Sequence, residues 1–188
     1  MITWTSKVGA ALCGLFLLGA CDGDALSLGG ATASKTPPAQ ATMARGAVTL
    51  VPPFGFCIDT RALSQRFALL ARCDVLSPDG FAAAPLSIIT VSLSPAPEGV
   101  PLPSAEVTAA ALGLKNVGQA RTRSRSVIFR ADGPAPSAAL DGRHWRGTAL
   151  VGDQVMGVAL YGPAGQPPIG REGRAILSDL IAATKPGG

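Results

Sequence analysis

The stretch HWRGTALVGDQVMGVALY, residues 144–161, holds two runs of apolar and β-branched residues separated by Gly152 and Asp153. A Gly-Asp pair between two such runs is typical of a tight turn that joins antiparallel strands. We therefore predict strands over 144–151 and 154–161, paired as a hairpin. The segment 117–130 precedes this hairpin and is polar on one side, which predicts an antiparallel meander in the C-terminal half.

Further strands are predicted in the N-terminal half. The segment LSIITVSLS, residues 86–94, is rich in β-branched residues and ends at Pro95, as expected of a strand. Shorter extended segments are predicted at 47–51 and 55–59. Residues 67–73 fit either a strand or the continuation of a preceding helix, and we favour the strand.

Three segments carry helical signals. Asp59 is a candidate N-cap for a helix over 60–66, and Ser104 is one for a helix over 104–114. The segment 170–184 has an apolar stripe at helical spacing, formed by Ile176, Leu177, Leu180 and Ile181. Helices interleaved with antiparallel strands predict an α+β fold, with a single antiparallel sheet and helices packed on its faces.

This order of elements resembles the PsbP-like fold, an α/β sandwich found in the photosystem II extrinsic protein and in several bacterial lipoproteins. The resemblance lies in VTLVPPFGFCID at 48–59, in the central hairpin, and in the closing segment AILSDLIAAT at 175–184. It implies a binding or assembly module, because few members of that family are enzymes. The family has no shared catalytic signature, so the resemblance implies no functional residue.

The N-terminus has the anatomy of a secretory signal. Met1 to Lys7 is short and positively charged, 8–20 is an apolar run of about 13 residues, and small residues precede Cys21. The tetrad Leu18-Gly19-Ala20-Cys21 resembles the lipobox of bacterial lipoproteins, which implies cleavage before Cys21 and attachment of lipid, including palmitate, to that cysteine. The alternative is an ordinary signal peptide that is cut near Ala20, with Cys21 incidental.

These features predict three parts in the chain. Residues 1–20 form the signal peptide, 21–46 form the lipidated cysteine and a flexible tether rich in small residues, and 47–188 form a single α+β domain. The lipid on Cys21 would hold the domain at a membrane of the cell envelope, facing the periplasm. The sequence leaves open whether this is the inner or the outer membrane.

Two cysteines remain in the predicted domain once Cys13 and Cys21 are assigned to the N-terminal segment. Cys57 and Cys73 form an even pair in an exported protein, which favours a structural disulfide. The alternative is a redox or metal pair. The sequence has neither a CxxC motif nor a cluster of histidines to favour it.

His144 is the chain's one histidine, so a Ser-His-Asp device would have to use it. Its surroundings, GRHWRG at 142–147, have neither a nucleophile elbow nor an oxyanion-loop signature. We expect no catalytic residue, no metal site and no cofactor. An envelope hydrolase using His144 is kept as the alternative function.

The formal net charge is +4, and the basic residues are too dispersed to predict a nucleic-acid partner. The sharpest basic pattern is the alternation of Arg121, Arg123 and Arg125, which would place all three on one face of a strand. Arg143 and Arg146 would extend this face if their strand lay beside it. The face is then a candidate contact for an anionic surface or partner, and the alternative is a solvated sheet face protected from edge aggregation.

Together these patterns predict a lipid-anchored envelope protein that acts as a non-enzymatic binding or assembly module. Its expected partners are the membrane, through Cys21, and another envelope component.

Overall fold

A computed structural model describes residues 37–188. The described part consists mainly of strands, with three α-helices and two single-turn 3-10 helices. The strands are β1 Ala41–Met43, β2 Val48–Leu50, β3 Phe56–Ile58, β4 Phe67–Arg72, β5 Ile88–Pro95, β6 Lys115–Arg123, β7 Ser126–Asp132, β8 Arg143–Val151, β9 Gln154–Tyr161 and β10 Lys185–Pro186. The helices are α1 Cys73–Leu76, α2 Ala105–Ala111 and α3 Arg171–Ala183, and the 3-10 turns are Ala44–Gly46 and Pro167–Ile169.

Seven strands form the main sheet, in the order β3-β4-β5-β9-β8-β7-β6. All neighbours in it are antiparallel. The predicted hairpin is β8–β9, and its register ends with Val151 opposite Gln154. Gly152 has φ +60°, in the left-handed region that a tight turn of this kind requires and that glycine adopts without strain.

The predicted fold class is wrong in one respect, because the structure has two sheets instead of one. A second sheet of three strands, in the order β1-β2-β10, pairs the start of the described chain with its end. Its buried residues Met43, Val48 and Leu50 join the main core, so this small sheet covers part of a surface that was expected to be covered by helices. Since α1 and α2 are short, the molecule is mostly β-structure.

The two faces of the main sheet are covered differently. The face that contains Ile89, Trp145 and Val158 packs against α3 and the small sheet, and we call it the core face. The opposite face, which contains Thr90, Arg146 and Thr148, is only partly covered. There α2 packs over β7 through a small cluster formed by Ala105, Ala109, Leu114, Val127, Phe129 and Ala131.

Trp145 and α3 are fixed to each other at the start of the helix. The indole Nε1 of Trp145 donates a hydrogen bond of 2.7 Å to the carbonyl oxygen of Gly170, and the ring is fully buried. Three residues of the predicted stripe, Ile176, Leu177 and Leu180, are buried against the core face, which confirms the helix and its orientation.

Several local predictions are corrected by the structure. Residues 60–66 form no helix, because Asp59 accepts hydrogen bonds from the backbone and the guanidinium of Arg61 in a turn. The segment 117–130 is two strands with a turn at Ser124 and Arg125. β1 lies within the predicted tether, since Ala41 and Met43 are buried and pair with β2.

The predicted disulfide between Cys57 and Cys73 is present. It joins β3 to the first residue of α1, across a Cα–Cα distance of 4.9 Å. Cys21 and the predicted signal peptide lie outside the described residues. Among residues 37–188 there is no helix long and apolar enough to cross a membrane.

Candidate functional site

His144, Arg146 and Tyr161 form a polar cluster between β8 and the end of β9. His144 and Arg146 are two residues apart, so both side chains lie on the same face of β8. Arg146 Nε donates to Nε2 of His144 at 2.9 Å, and Arg146 Nη2 donates to the Tyr161 hydroxyl at 2.7 Å. The imidazole stacks on the Tyr161 ring with a centroid distance of 4.5 Å.

These contacts fix the protonation state of His144. Its Nδ1 lies 2.7 Å from the carbonyl oxygen of Gly142 and therefore carries the proton, while Nε2 accepts from Arg146. The side chain is fully buried, and this burial lowers its pKa below 6.5; the Arg146 charge lowers it further, against opposing effects of the Gly142 carbonyl and Asp132. His144 is therefore neutral at neutral pH.

The same geometry removes the basis for the hydrolase alternative. A general base needs a free lone pair within hydrogen-bond reach of a hydroxyl. The Nε2 lone pair of His144 is used by Arg146, and neither ring nitrogen bonds a hydroxyl or a carboxylate of the described residues. We conclude that His144 orders Arg146 and Tyr161 and that, within residues 37–188, its ring nitrogens hydrogen-bond no nucleophile.

A groove of about 320 Å³ lies beside this cluster, between α2 and the partly covered face of the sheet. Its helix wall presents Val107, Thr108, Ala111 and Leu112, and its floor is formed by β5, β8 and β9. Gly157 on β9 keeps the floor low. A Cβ at Gly157 would lie 2.8 Å from the Ser92 hydroxyl, so a side chain there would not fit without displacing its neighbour.

The groove walls are mainly apolar but contain hydroxyl groups. Thr108 on α2 and Thr148 on β8 line it from opposite sides. The Oγ1 atoms of both residues are buried and make no hydrogen bond within the described part of the chain. Thr148 is only 9% exposed, so its hydroxyl is held in an apolar environment without a partner. Thr90, Ser92 and Arg146 add further polar atoms to the rim and floor.

The arginine face predicted from the sequence is not assembled as expected. Arg121 and Arg123 lie on β6, but Arg125 lies in the following turn and donates to the carbonyl oxygen of Leu150 at 3.3 Å. β7 separates β6 from β8, so Arg143 and Arg146 do not lie on a neighbouring strand. They are also three residues apart and therefore face opposite sides of β8.

Arg143 and Arg146 each have a local role instead. Arg143 forms an ion pair with Asp132 across the β7–β8 pair, with 3.4 Å between Nε and Oδ1. Arg146 belongs to the cluster with His144 and to the groove.

Two arginines that the sequence analysis did not single out join Arg121 and Arg123. Arg174 of α3 lines a pocket of about 240 Å³ together with Arg121 and Arg123, and Arg171 lines an adjoining hollow with Arg121 and Arg174. The spacing of Arg171 and Arg174 places them on one face of the helix. That spacing was visible in the sequence, but nothing indicated that this face lies beside β6.

In the part of the chain that the structure describes, no group of three or more His, Cys, Asp or Glu side chains could hold a metal ion.

No protein-family model matches the chain, and no curated protein sequence matches it. Among solved structures it is similar to the solution structure of cyanobacterial PsbP (CyanoP) from Synechocystis sp. PCC 6803, with 12% sequence identity and a TM-score of 0.42. That alignment covers 90% of this chain and 98% of the other. CyanoP belongs to the family that the sequence pattern resembles, but a similarity at this level assigns neither a function nor a functional residue to this chain.

Proposed function

We propose that this protein is a non-enzymatic binding module of the cell envelope, anchored by lipid on Cys21, with the groove between α2 and the main sheet as its ligand site. The observation that carries the proposal is the pair of buried, unpartnered hydroxyls of Thr108 and Thr148 on the two walls of that groove.

A buried polar group normally has a hydrogen-bond partner. Leaving a hydroxyl buried without one costs about 1–3 kcal/mol. Thr148 has this arrangement beside a groove large enough for a small molecule. Both Oγ1 atoms are covered, so rotation of each side chain about its Cα–Cβ bond is needed to turn the hydroxyl toward a ligand in the groove. Hydrogen bonds to that ligand would then recover this cost, which favours binding.

The lining indicates the chemistry of the ligand. Most of the wall is apolar, through Val107, Ala111 and Leu112, so a hydrophobic body is expected. The hydroxyls require hydrogen-bonding groups on the same molecule. Arg146 uses Nε and Nη2 within its own cluster, and it provides a fixed positive charge at the groove for an acceptor or anionic group.

The envelope location rests on the sequence pattern that ends at Cys21. The apolar run and the Leu18-Gly19-Ala20-Cys21 tetrad support lipid attachment there. The Cys57–Cys73 disulfide is consistent with an oxidising compartment outside the cytoplasm.

The groove can be tested with a fluorescent probe that matches its chemistry, 1-anilinonaphthalene-8-sulfonate, which has an aromatic body and one anionic group. We would titrate the full chain with this probe and map the perturbed amide signals by NMR. Ala111→Trp places a large side chain in the groove, while Ala110→Trp is the matched control, because Ala110 is the exposed neighbour that does not line it.

We expect saturable binding that perturbs the signals of Thr108 and Thr148, that is lost in Ala111→Trp and that is kept in Ala110→Trp. Binding that is equal in both variants, or that perturbs only residues outside the groove, would overturn the assignment of the site.

A further inference from the structure

We propose that the pocket between β6 and α3, lined by Arg121, Arg123 and Arg174, is a second site that binds a phosphate group. This inference is independent of the groove, which lies on the opposite face of the sheet.

The pairing of β6 with β7 is irregular before the arginines. Between Gly118 and Arg121 the strand advances three residues while its partner β7 advances two, from Arg130 to Ile128. This is a β-bulge, which inserts one extra residue on β6, and a similar shift occurs between Lys115 and Gly118, where β7 advances from Asp132 to Arg130. Gln119, inside the bulge, has φ +54°, a left-handed conformation that is unfavourable for a residue with a side chain.

The register of β6 on β7 determines which face the arginines occupy. Arg121 lies opposite Ile128 and Arg123 opposite Ser126, on the core face beside α3. A shift of one residue in register turns every following side chain to the other face of a sheet, so loss of one bulge alone would move both guanidinium groups away from Arg174. The two bulges together preserve the face that the pairing of Lys115 with Asp132 sets.

Among residues 37–188, no carboxylate balances the charges of the pocket. None of Arg121, Arg123 and Arg174 has a carboxylate partner among residues 37–188. The carboxylates of α3, Glu172 and Asp179, line neither the pocket nor the adjoining hollow. Three like charges around one pocket, without a carboxylate to balance them, favour the binding of an anion.

The hydrogen-bond donors that line the pocket indicate which anion it fits. The pocket combines three guanidinium groups with the hydroxyl of Ser126. Ser178 also lines it, but its hydroxyl donates to the carbonyl oxygen of Arg174 at 2.8 Å. Guanidinium groups donate two parallel hydrogen bonds to a phosphate, and the Ser126 hydroxyl is a further donor for one of its remaining oxygens. Arg171 lies in the adjoining hollow, where it adds positive charge for any further anionic group on the same ligand. The donor set thus fits a phosphate, either as free phosphate or as the phosphodiester of a lipid headgroup.

The test uses the full chain and two soluble probes, inorganic phosphate and a short-chain phosphatidylglycerol kept below its micelle concentration. Binding is measured by isothermal titration calorimetry at low and high salt. Arg174→Gln and Ser178→Asp alter the pocket in different ways, since one removes a guanidinium group and the other adds a carboxylate. Arg66→Gln is the control, because it removes the same charge from an exposed arginine that does not line this pocket.

We expect at least one probe to bind, with a Kd that rises about tenfold or more in Arg174→Gln and Ser178→Asp and less than about twofold in Arg66→Gln. Tighter binding of inorganic phosphate would identify free phosphate as the source, and tighter binding of the phosphodiester would identify a headgroup. An equal weakening in all three variants, or no binding of either probe at low salt, would overturn the proposal.

Discussion

Arg146 and His144, two residues apart on β8, are joined by a hydrogen bond of 2.9 Å in which the guanidinium Nε donates to the imidazole Nε2. A protonated imidazole could not accept this bond, because both of its nitrogens would carry hydrogen. The pair therefore holds His144 neutral, and His144 in turn fixes the direction of Arg146 at the groove. Protonation of His144 and the geometry of the groove are coupled through this contact.

The first prediction concerns pH. His144 has a folded-state pKa below its usual value of 6.5, chiefly because of burial, so between these two values the unfolded chain binds more protons than the folded protein. The contribution of neutral His144 to the free energy of unfolding is then fully present above pH 6.5. The free energy of unfolding falls as the pH decreases below 6.5, by up to about 1.4 kcal/mol per pH unit. Urea unfolding between about pH 7.5 and about pH 5 measures this slope.

The control for this prediction is His144→Gln, whose neutral side chain does not titrate. Because the chain has one histidine, the slope should disappear over the same range in this variant. A slope that persists unchanged in His144→Gln would show that another group is responsible.

The second prediction concerns the unpartnered hydroxyl of Thr148. Thr148→Val keeps the shape of the side chain and removes the hydroxyl, so we expect the free energy of unfolding to increase by about 1 kcal/mol. The same change at Thr42, which is exposed on β1, should have little effect. Denaturant unfolding of both variants gives the comparison, and a loss of stability in Thr148→Val would contradict the absence of a partner.

The third prediction concerns the disulfide. Cys57 and Cys73 are 16 residues apart, and in the chain-entropy model closing a loop of this length stabilises the folded state by about 3 kcal/mol. Guanidinium unfolding of the oxidised protein and of the protein reduced with dithiothreitol should differ by about this amount. Coincident unfolding curves after verified reduction would refute it.

The fourth prediction concerns the contact between α3 and the sheet. A Cβ at Gly173 would collide with the carbonyl oxygen of Pro168 and with the Trp145 ring. We expect Gly173→Ala to destabilise the fold by about 1–3 kcal/mol, although alanine favours a helix. Gly118→Ala is the control, because nothing lies within 4 Å of a Cβ at that position. Thermal unfolding of the two variants distinguishes a steric cost from a general effect of removing glycine.

The fifth prediction concerns the anchor. If Cys21 is lipidated, cells that express the full chain should incorporate labelled palmitate into it, and Cys21→Ser should abolish the label and release the protein from the membrane fraction. Cys13→Ser is the control, since Cys13 lies within the apolar run that would be removed. Labelling that continues undiminished in Cys21→Ser would exclude lipidation at this residue.

The sequence was sufficient where neighbouring residues decide the structure. The β-branched residues of 86–94 and the Gly152–Asp153 turn predicted β5 and the β8–β9 hairpin, because strand preference and turn geometry are local. Ser104 caps α2 through a hydrogen bond from Val107 N, as a serine before a helix commonly does. The disulfide followed from an even pair of cysteines in an exported chain.

The sequence was not sufficient where segments far apart in the chain meet. The segment 47–51 predicted β2 as extended but not its partners, and β10 has only two residues and carries no periodic signal. The small sheet forms because Met43, Val48 and Leu50 add to a core that the main sheet creates. The two sites have the same origin. The groove exists because α2 packs over β7 and leaves the neighbouring strands uncovered, and the arginine pocket exists because the pairing of β6 with β7 places Arg121 on the face that α3 covers. The periodicity of a segment predicts which face of its own strand or helix a residue occupies. Which other element packs against that face is decided only when the shared core is buried.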